Sequence, residues 1–121
     1  MAKEIVNEYG KIVISEEVVA TIAGIAAIEC YGLAGMVSRK MLKDGIVELL
    51  GKENLSRGVE VRFIDDQTVI DLYIIVSYGV RISEVAHNII DKVAYTVQKV
   101  LGIEVAKVNI NVQGVKVSND K

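Results

Sequence analysis

The chain's one histidine, its one cysteine and a glycine step followed by cations are the residues with chemical potential. His87 could serve as acid, base or metal ligand, but a metal site takes three or four ligands. No HxxE or HxH spacing surrounds it, and Asp91 at i+4 makes it a helix-surface residue with a charged neighbour. Cys30 would need an adjacent base to become a nucleophile. None stands near it in sequence, so it reads as a small buried hydrophobe closing an apolar stretch. Asp65-Asp66 is a carboxylate pair by adjacency alone, since between two alternating segments it is a turn. No catalytic residue, cofactor or metal is assigned, and the chain is expected not to be an enzyme.

The glycine step carries more. Gly32-Leu-Ala-Gly35 lies between two helical patterns and is followed by two strands and a long helix. That is the order of a KH RNA-binding module, whose GxxG backbone approaches the nucleic-acid backbone. Leu33 and Ala34 bring no charge to meet phosphate, and the whole chain has a formal charge of −2, so RNA is the weaker reading. The ordinary one is a tight interhelical turn with its apolar centre under the core. Beyond it, Arg39, Lys40 and Lys43 form the polar face of an amphipathic run, with Asp44 and Glu48 diluting any attraction to anionic lipid. Gly32, Leu33, Gly35, Met36, Arg39, Lys40 and Lys43 are therefore the candidate partner contact.

These residues must be positioned by a compact chain. Its 121 residues, 51% of them hydrophobic and 25% charged, suit one globular domain over 1–121 with a polar tail after about 117. One cysteine excludes an internal disulfide framework and fits a reducing compartment. No secretory signal pattern is present, and apolar runs such as 18–28 fall short of the roughly 20 residues of a membrane span. A cytoplasmic location without direct membrane insertion is expected, with any membrane association made through a partner.

The pattern predicts a short strand at 11–14, then a helix capped by Ser15 with Glu16 and Glu17 in its first turn. Val18, Ile22, Ile25 and Ala26 make its apolar stripe, and Ala20, Ala23, Gly24 and Ala27 a second side small enough for very close packing. A second helix is expected over 38–50 and a loop over 51–58. Val59, Val61 and Phe63 alternate as a half-buried strand, and residues 69–78 form a central strand apolar on both faces. On its less committed face Tyr73 and Ile75 are either a partner patch or covered by another segment. Ser83 is expected to cap the longest helix, which ends near Gly102 with a seam of Ala86, Ile90, Val93, Val97 and Val100 widened by Val85, Ile89 and Leu101. A last strand through Val108, Ile110 and Val112 should be interrupted at Gly114. The reading is an α+β two-layer sandwich of order β-α-α-β-β-α-β, its helices packed on a mainly antiparallel sheet. With no proline to protect sheet edges, a second copy could pair there to give a homo-oligomer.

Several blocks, in order, resemble the alkaline shock protein (envelope stress response) family of Gram-positive bacteria. They are Tyr9-Gly-Lys-Ile-Val-Ile-Ser-Glu-Glu-Val, Ala26-Ala-Ile-Glu-Cys-Tyr-Gly-Leu-Ala-Gly-Met, Gly58-Val-Glu-Val, Ile74-Ile-Val-Ser-Tyr-Gly and Val108-Asn-Ile-Asn-Val-Gln-Gly-Val. Lys43-Asp-Gly, Lys52-Glu-Asn-Leu-Ser-Arg-Gly-Val and Ile82-Ser-Glu-Val-Ala-His-Asn look like its short YloU-type branch. The resemblance implies a non-enzymatic adaptor or scaffold, held near the membrane by an anchoring protein. It also implies, from gene neighbourhood in that branch, a fatty-acid kinase as a possible partner to be regulated. It carries no catalytic residue over to this chain.

Overall fold

Ser15 sits at the N-cap of the first helix, and its hydroxyl accepts a hydrogen bond from the Val18 amide at 3.3 Å. Glu16 and Glu17 follow where the helix dipole favours negative charge. The structure, a computed structural model, describes residues 2–117. Its elements are β1 (Ala2–Asn7), β2 (Gly10–Ser15), α1 (Glu16–Ile28), β3 (Leu33–Met36) and α2 (Arg39–Lys43). A 3-10 turn (Lys52–Gly58), β4 (Val59–Ile64), β5 (Gln67–Ser77), α3 (Ile82–Leu101) and β6 (Val105–Lys116) complete them. The polar tail expected after residue 117 lies outside the described residues.

The α+β architecture is as expected, helices on one face of a mainly antiparallel sheet, but two strands join the order. β1 pairs antiparallel with β2 as a separate ribbon (Ile5 opposite Ile12) that touches the body through Ile14 and a Lys3 Nζ bond to the Asp66 carbonyl at 3.1 Å. The second is β3, formed by the GxxG step itself. Leu33 and Met36 pair with Val76 and Ile74, and the Ser77 amide donates to the Gly32 carbonyl at 2.9 Å. The interhelical turn is therefore corrected. Extended apolar residues beside an open stretch of β5 gain ladder bonds that a turn would forgo.

β5 is central. β6 runs parallel along its whole length, while β4 pairs antiparallel with its first half and β3 with its second. Since those two registers do not overlap, β4 and β3 lie end to end on the edge opposite β6. Asp65 and Asp66, at φ 49° and 67°, form the two-residue turn between β4 and β5. The parallel partner is reached through α3, the long crossover such a pair requires. The expected interruption in β6 is present: its register slips between Val112 and Gly114.

Ile70, Leu72, Ile74 and Val76 of β5 turn inward against Val19, Ala23 and Ala27 of α1 and Val85, Ile89, Val93 and Val97 of α3. Each such aliphatic side chain contributes about 1.5–3 kcal/mol by leaving water. Both helix faces differ in detail from the pattern reading. In α1 the small side is the buried one, and Val18 and Ile25 are each 44% exposed. The cause is proximity: a Cβ on Gly24 would stand 3.1 Å from Leu55 Cβ, so the 3-10 turn lies against the helix where only small residues fit. In α3 the seam steps by four through Val85, Ile89, Val93 and Val97, leaving Val100 outside. That helix begins at Ile82 with Arg81 at its N-cap and no side-chain cap, so Ser83 instead offers its carbonyl to His87 Nδ1 at 2.8 Å.

The second helix also stops early. Ser38 caps it, bonding the Met41 amide, but it ends at Lys43 because Gly45 takes φ 79°, and residues 46–51 have no regular secondary structure. The Leu50 amide then bonds the Met36 carbonyl at 2.8 Å, laying this segment beside β3.

Gly32 takes φ 91°, and a Cβ there would lie 2.6 Å from Val85 Cγ2; Gly79, at φ 96°, has open space around it. Gly32→Ala should therefore cost about 2–4 kcal/mol, the sum of backbone strain and overpacking. Gly79→Ala should cost about 1–2 kcal/mol from backbone strain alone. Urea unfolding of the two variants measures the difference.

Candidate partner-contact face

The sheet face turned away from the helices is polar because strand alternation sends Glu60, Arg62, Asp71, Tyr73, Asn109 and Asn111 there. The registers set Asp71 between Glu60 and Asn109, and Tyr73 beside Asn111. Asp71, only 8% exposed, accepts from Arg62 Nε at 3.2 Å and Nη2 at 2.9 Å on one oxygen, and from Asn109 Nδ2 at 2.8 Å on the other. Asn111 Nδ2 donates to the Leu72 carbonyl at 3.2 Å. A carboxylate taken out of water is tolerated only with such partners.

A second set joins at Glu60. Its Oε1 accepts from Arg39 Nη1 at 2.8 Å and from the Tyr73 hydroxyl at 3.4 Å. Arg39 reaches it from α2, which the Ser38 cap aims across the sheet. The neighbouring Glu60 carboxylate holds the Arg39 guanidinium above its ordinary pKa. Tyr73 is also pushed up, first by burial and then by the Glu60 charge. Together Arg39, Glu60, Arg62, Asp71, Tyr73 and Asn111 line a shallow hollow of about 310 Å³.

The carboxylates here are engaged by neighbours, and no group of three or more potential metal ligands occurs among the described residues. What the face offers is shape and charge. Ile75 beside it is 6% exposed, so it is covered rather than a partner patch. Leu49 lies over the sheet beside it, close enough that a Cβ on Gly35 would meet Leu49 Cδ2 at 2.8 Å. Cys30 is half-buried, its thiol 3.7 Å from the Ala26 carbonyl and its pKa raised by burial, which suits a packing residue.

The structure splits the seven candidate contact residues. Gly35 and Met36 are buried, Gly32 and Leu33 are half-buried in the approach to β3, and Arg39, Lys40 and Lys43 are exposed together. After these cations the chain exposes Ile46 (47%), Val47 (65%) and Leu49 (41%). The Glu60–Arg62–Asp71–Asn109 network escaped the sequence reading. Its one signal was a carboxylate, Asp71, inside an otherwise apolar strand.

Residues 4–117 match the model of the alkaline shock protein 23 family, described as having a cell envelope-related function. The chain belongs to that family. It is 56% identical to the uncharacterized protein YloU of Bacillus subtilis (strain 168) over 98% of this chain and 99% of that one. It is 40% identical to the uncharacterized protein Spy1614 of Streptococcus pyogenes serotype M6, over 97% of each. The alkaline shock protein resemblance and its YloU-type branch are thereby established. Among solved structures, the MamM CTD in a copper form superposes with TM-score 0.50 at 14% identity, covering 87% of this chain and 91% of that one. A variant of the MamM CTD in a zinc form gives the same TM-score over 87% and 90%. At that identity the likeness concerns the fold alone. No helix among the described residues is long and apolar enough to cross a membrane.

Asp71→Ala should destabilise the chain by about 1–3 kcal/mol, because Asn109 loses its acceptor and the Arg62 pair is lost; chemical denaturation reads it. Tyr73 gives a pH signature. Its raised pKa means its contribution is fully present below the ordinary tyrosine value of about 10 and is lost as pH rises through the folded value. Tyr73→Phe should therefore flatten the alkaline fall in melting temperature. It should also remove a phenolate that forms above the ordinary tyrosine range from the absorbance titration.

Proposed function

We propose that this chain is a non-enzymatic cytoplasmic adaptor that works through protein contacts and is kept near the membrane by a partner. The observation that carries it is the stretch after α2. Three apolar side chains, Ile46, Val47 and Leu49, stand exposed immediately beyond Arg39, Lys40 and Lys43. Apolar residues bordered by cations form the kind of patch that marks a contact surface. The segment is also held in place, by the Ser38 cap, the Arg39–Glu60 pair and the Leu50–Met36 backbone bond. A contact surface fixed in advance loses less entropy when it binds. Of the seven candidate residues, the three cations would touch the partner, while Gly32, Leu33, Gly35 and Met36 would hold the segment from below.

Membership of a cell envelope-related family supplies the setting. The pairing of the GxxG step with β5 as a sheet strand supports the adaptor reading over the RNA one, since its backbone groups are engaged within the sheet.

The expected result is co-sedimentation of the chain with the membrane fraction and cross-linking to a defined protein there. Val47→Asp combined with Lys40→Glu should abolish both while leaving the melting temperature unchanged. Recovery only as a free monomer, or unaltered cross-linking by the double variant, overturns the proposal.

A further inference from the structure

β4 is an edge strand. Its hairpin register pairs Ile64, Arg62 and Glu60 with Gln67, Val69 and Asp71, directing those backbone groups toward β5. The amides and carbonyls of Val61 and Phe63 therefore point the other way, and no backbone or side-chain partner meets them among the described residues. The Val59 amide closes on the Ser56 carbonyl, which marks the end of the open stretch.

This edge is not open to bulk water on all sides. It borders a groove of about 640 Å³ lined by Glu16, Glu17 and Ala20 of α1, by Glu53 and Arg57 of the 3-10 turn, and by β4 from Val59 through Glu60, whose carboxylate is engaged by Arg39, to Arg62. The groove exists because Gly24 lets the turn approach the helix closely at Leu55, carrying Glu53 to the same side as Glu16 and Glu17. None of these three carboxylates forms an ion pair among the described residues, whereas Arg62, at the far rim, is engaged by Asp71. Arg57 is the remaining cation, so the open charge of the rim is acidic.

We propose that this groove takes up an extended segment of a protein partner as an added β-strand, and that the segment carries lysine or arginine. Strand addition uses main-chain bonds for affinity and alternate side chains for selection. Val61 supplies the main-chain donor and acceptor within the groove, and Phe63 continues the open edge just beyond it. Glu16, Glu17 and Glu53 supply the preference for basic side chains on the face of the segment toward α1 and the turn. The wall matters as much as the edge, because a strand flanked by a helix admits one extended chain but resists stacking by a whole sheet. The other open edge, on β6, has the opposite character: it carries the register slip before Gly114 and the lysines Lys107 and Lys116, devices that discourage pairing.

This inference rests on the reading of the chain as a contact protein and adds a second surface to it, on the outer edge of β4, which meets the Arg39 face at Glu60. The test is titration of the full chain with a blocked peptide of about ten residues alternating lysine and valine, followed by amide NMR and hydrogen exchange. The expected result is shifts and new exchange protection at the Val61 and Phe63 amides, with binding that weakens in salt. The combined variant Glu17→Gln, Glu53→Gln should weaken binding roughly three- to tenfold, the range for two exposed ion pairs. A peptide with glutamate in place of lysine should not bind. The lysine peptide N-methylated at alternate residues along its pairing edge should also fail, since it retains the charge but loses the donors. No shift up to about 1 mM peptide, equal binding by the N-methylated peptide, or shifts confined to β6 or the Arg39 face overturns the proposal. Probe binding requires no cellular partner. A negative result therefore removes the groove while leaving the membrane cross-linking result intact, and a negative cross-linking result leaves the titration readable.

Discussion

The rest of the molecule is organised around β5, a strand paired on both edges and buried along most of its length. Its inward residues Ile70, Leu72, Ile74 and Val76 are the floor on which α1 and α3 lie. Its outward Val69, Asp71 and Ile75 are nearly as inaccessible. Because side chains alternate across a strand, a slip of one residue would carry Asp71 into the aliphatic core and expose a row of isoleucine and valine. Asp71 thus adds more to register than to stability. Held by Arg62 and Asn109 from the strands on either side, it fixes the relative placement of β4, β5 and β6 at one point. The net strength of such a pair is modest, but the wrong register leaves a buried charge without partners, which is costly.

How much of this was legible in the sequence follows from which forces are local. The Ser15 cap, the Asp65-Asp66 turn, the apolar run of β5, the length of α3 and the slip at Gly114 are written in neighbouring residues, and each appears as expected. β3 is different. Four residues with two glycines and an alanine have no strand pattern, and become one because the second half of β5 has an edge to fill. The same holds for α1. Periodicity marks Val18, Ile22, Ile25 and Ala26 as its apolar stripe and the small side as fit for close packing, yet only the 3-10 turn lying against it makes the small side the more buried. Extending α2 to Leu50 failed for a more ordinary reason. Gly45 adopts a left-handed conformation and ends the helix, after which Ile46, Leu49 and Leu50 keep helical spacing without helical structure.

The candidate contact face was half legible for the same reason. Arg39, Lys40 and Lys43 could be marked as one exposed basic face because they share a short helix. The acids that receive Arg39 and Arg62 lie on other strands, 21 and 9 residues away in the chain. Only the sheet brings them together. That network also bears on how free the ionisable groups of this face are to act. General acid–base work needs a group poised between protonation states and free to reach a substrate. Here Glu60 and Asp71 are fixed by neighbouring donors, and Tyr73 is held protonated beyond its ordinary range.

The arrangement of edges then bears on how a chain without proline keeps from aggregating. A sheet with two free edges invites indiscriminate pairing unless each is managed. β6 manages its edge by irregularity and charge. β4 has neither a bulge nor a proline, and its register with β5 is unbroken from Val59 to Ile64. Its protection is steric, from α1 and the 3-10 turn, and that protection is selective by construction. It lines the approach with the carboxylates of Glu16, Glu17 and Glu53, so an incoming strand meets negative charge as well as a wall. The closeness made possible by Gly24 therefore acts at two levels. It lets a helix of small residues pack closely against the 3-10 turn, and it sets a wall beside an otherwise open edge.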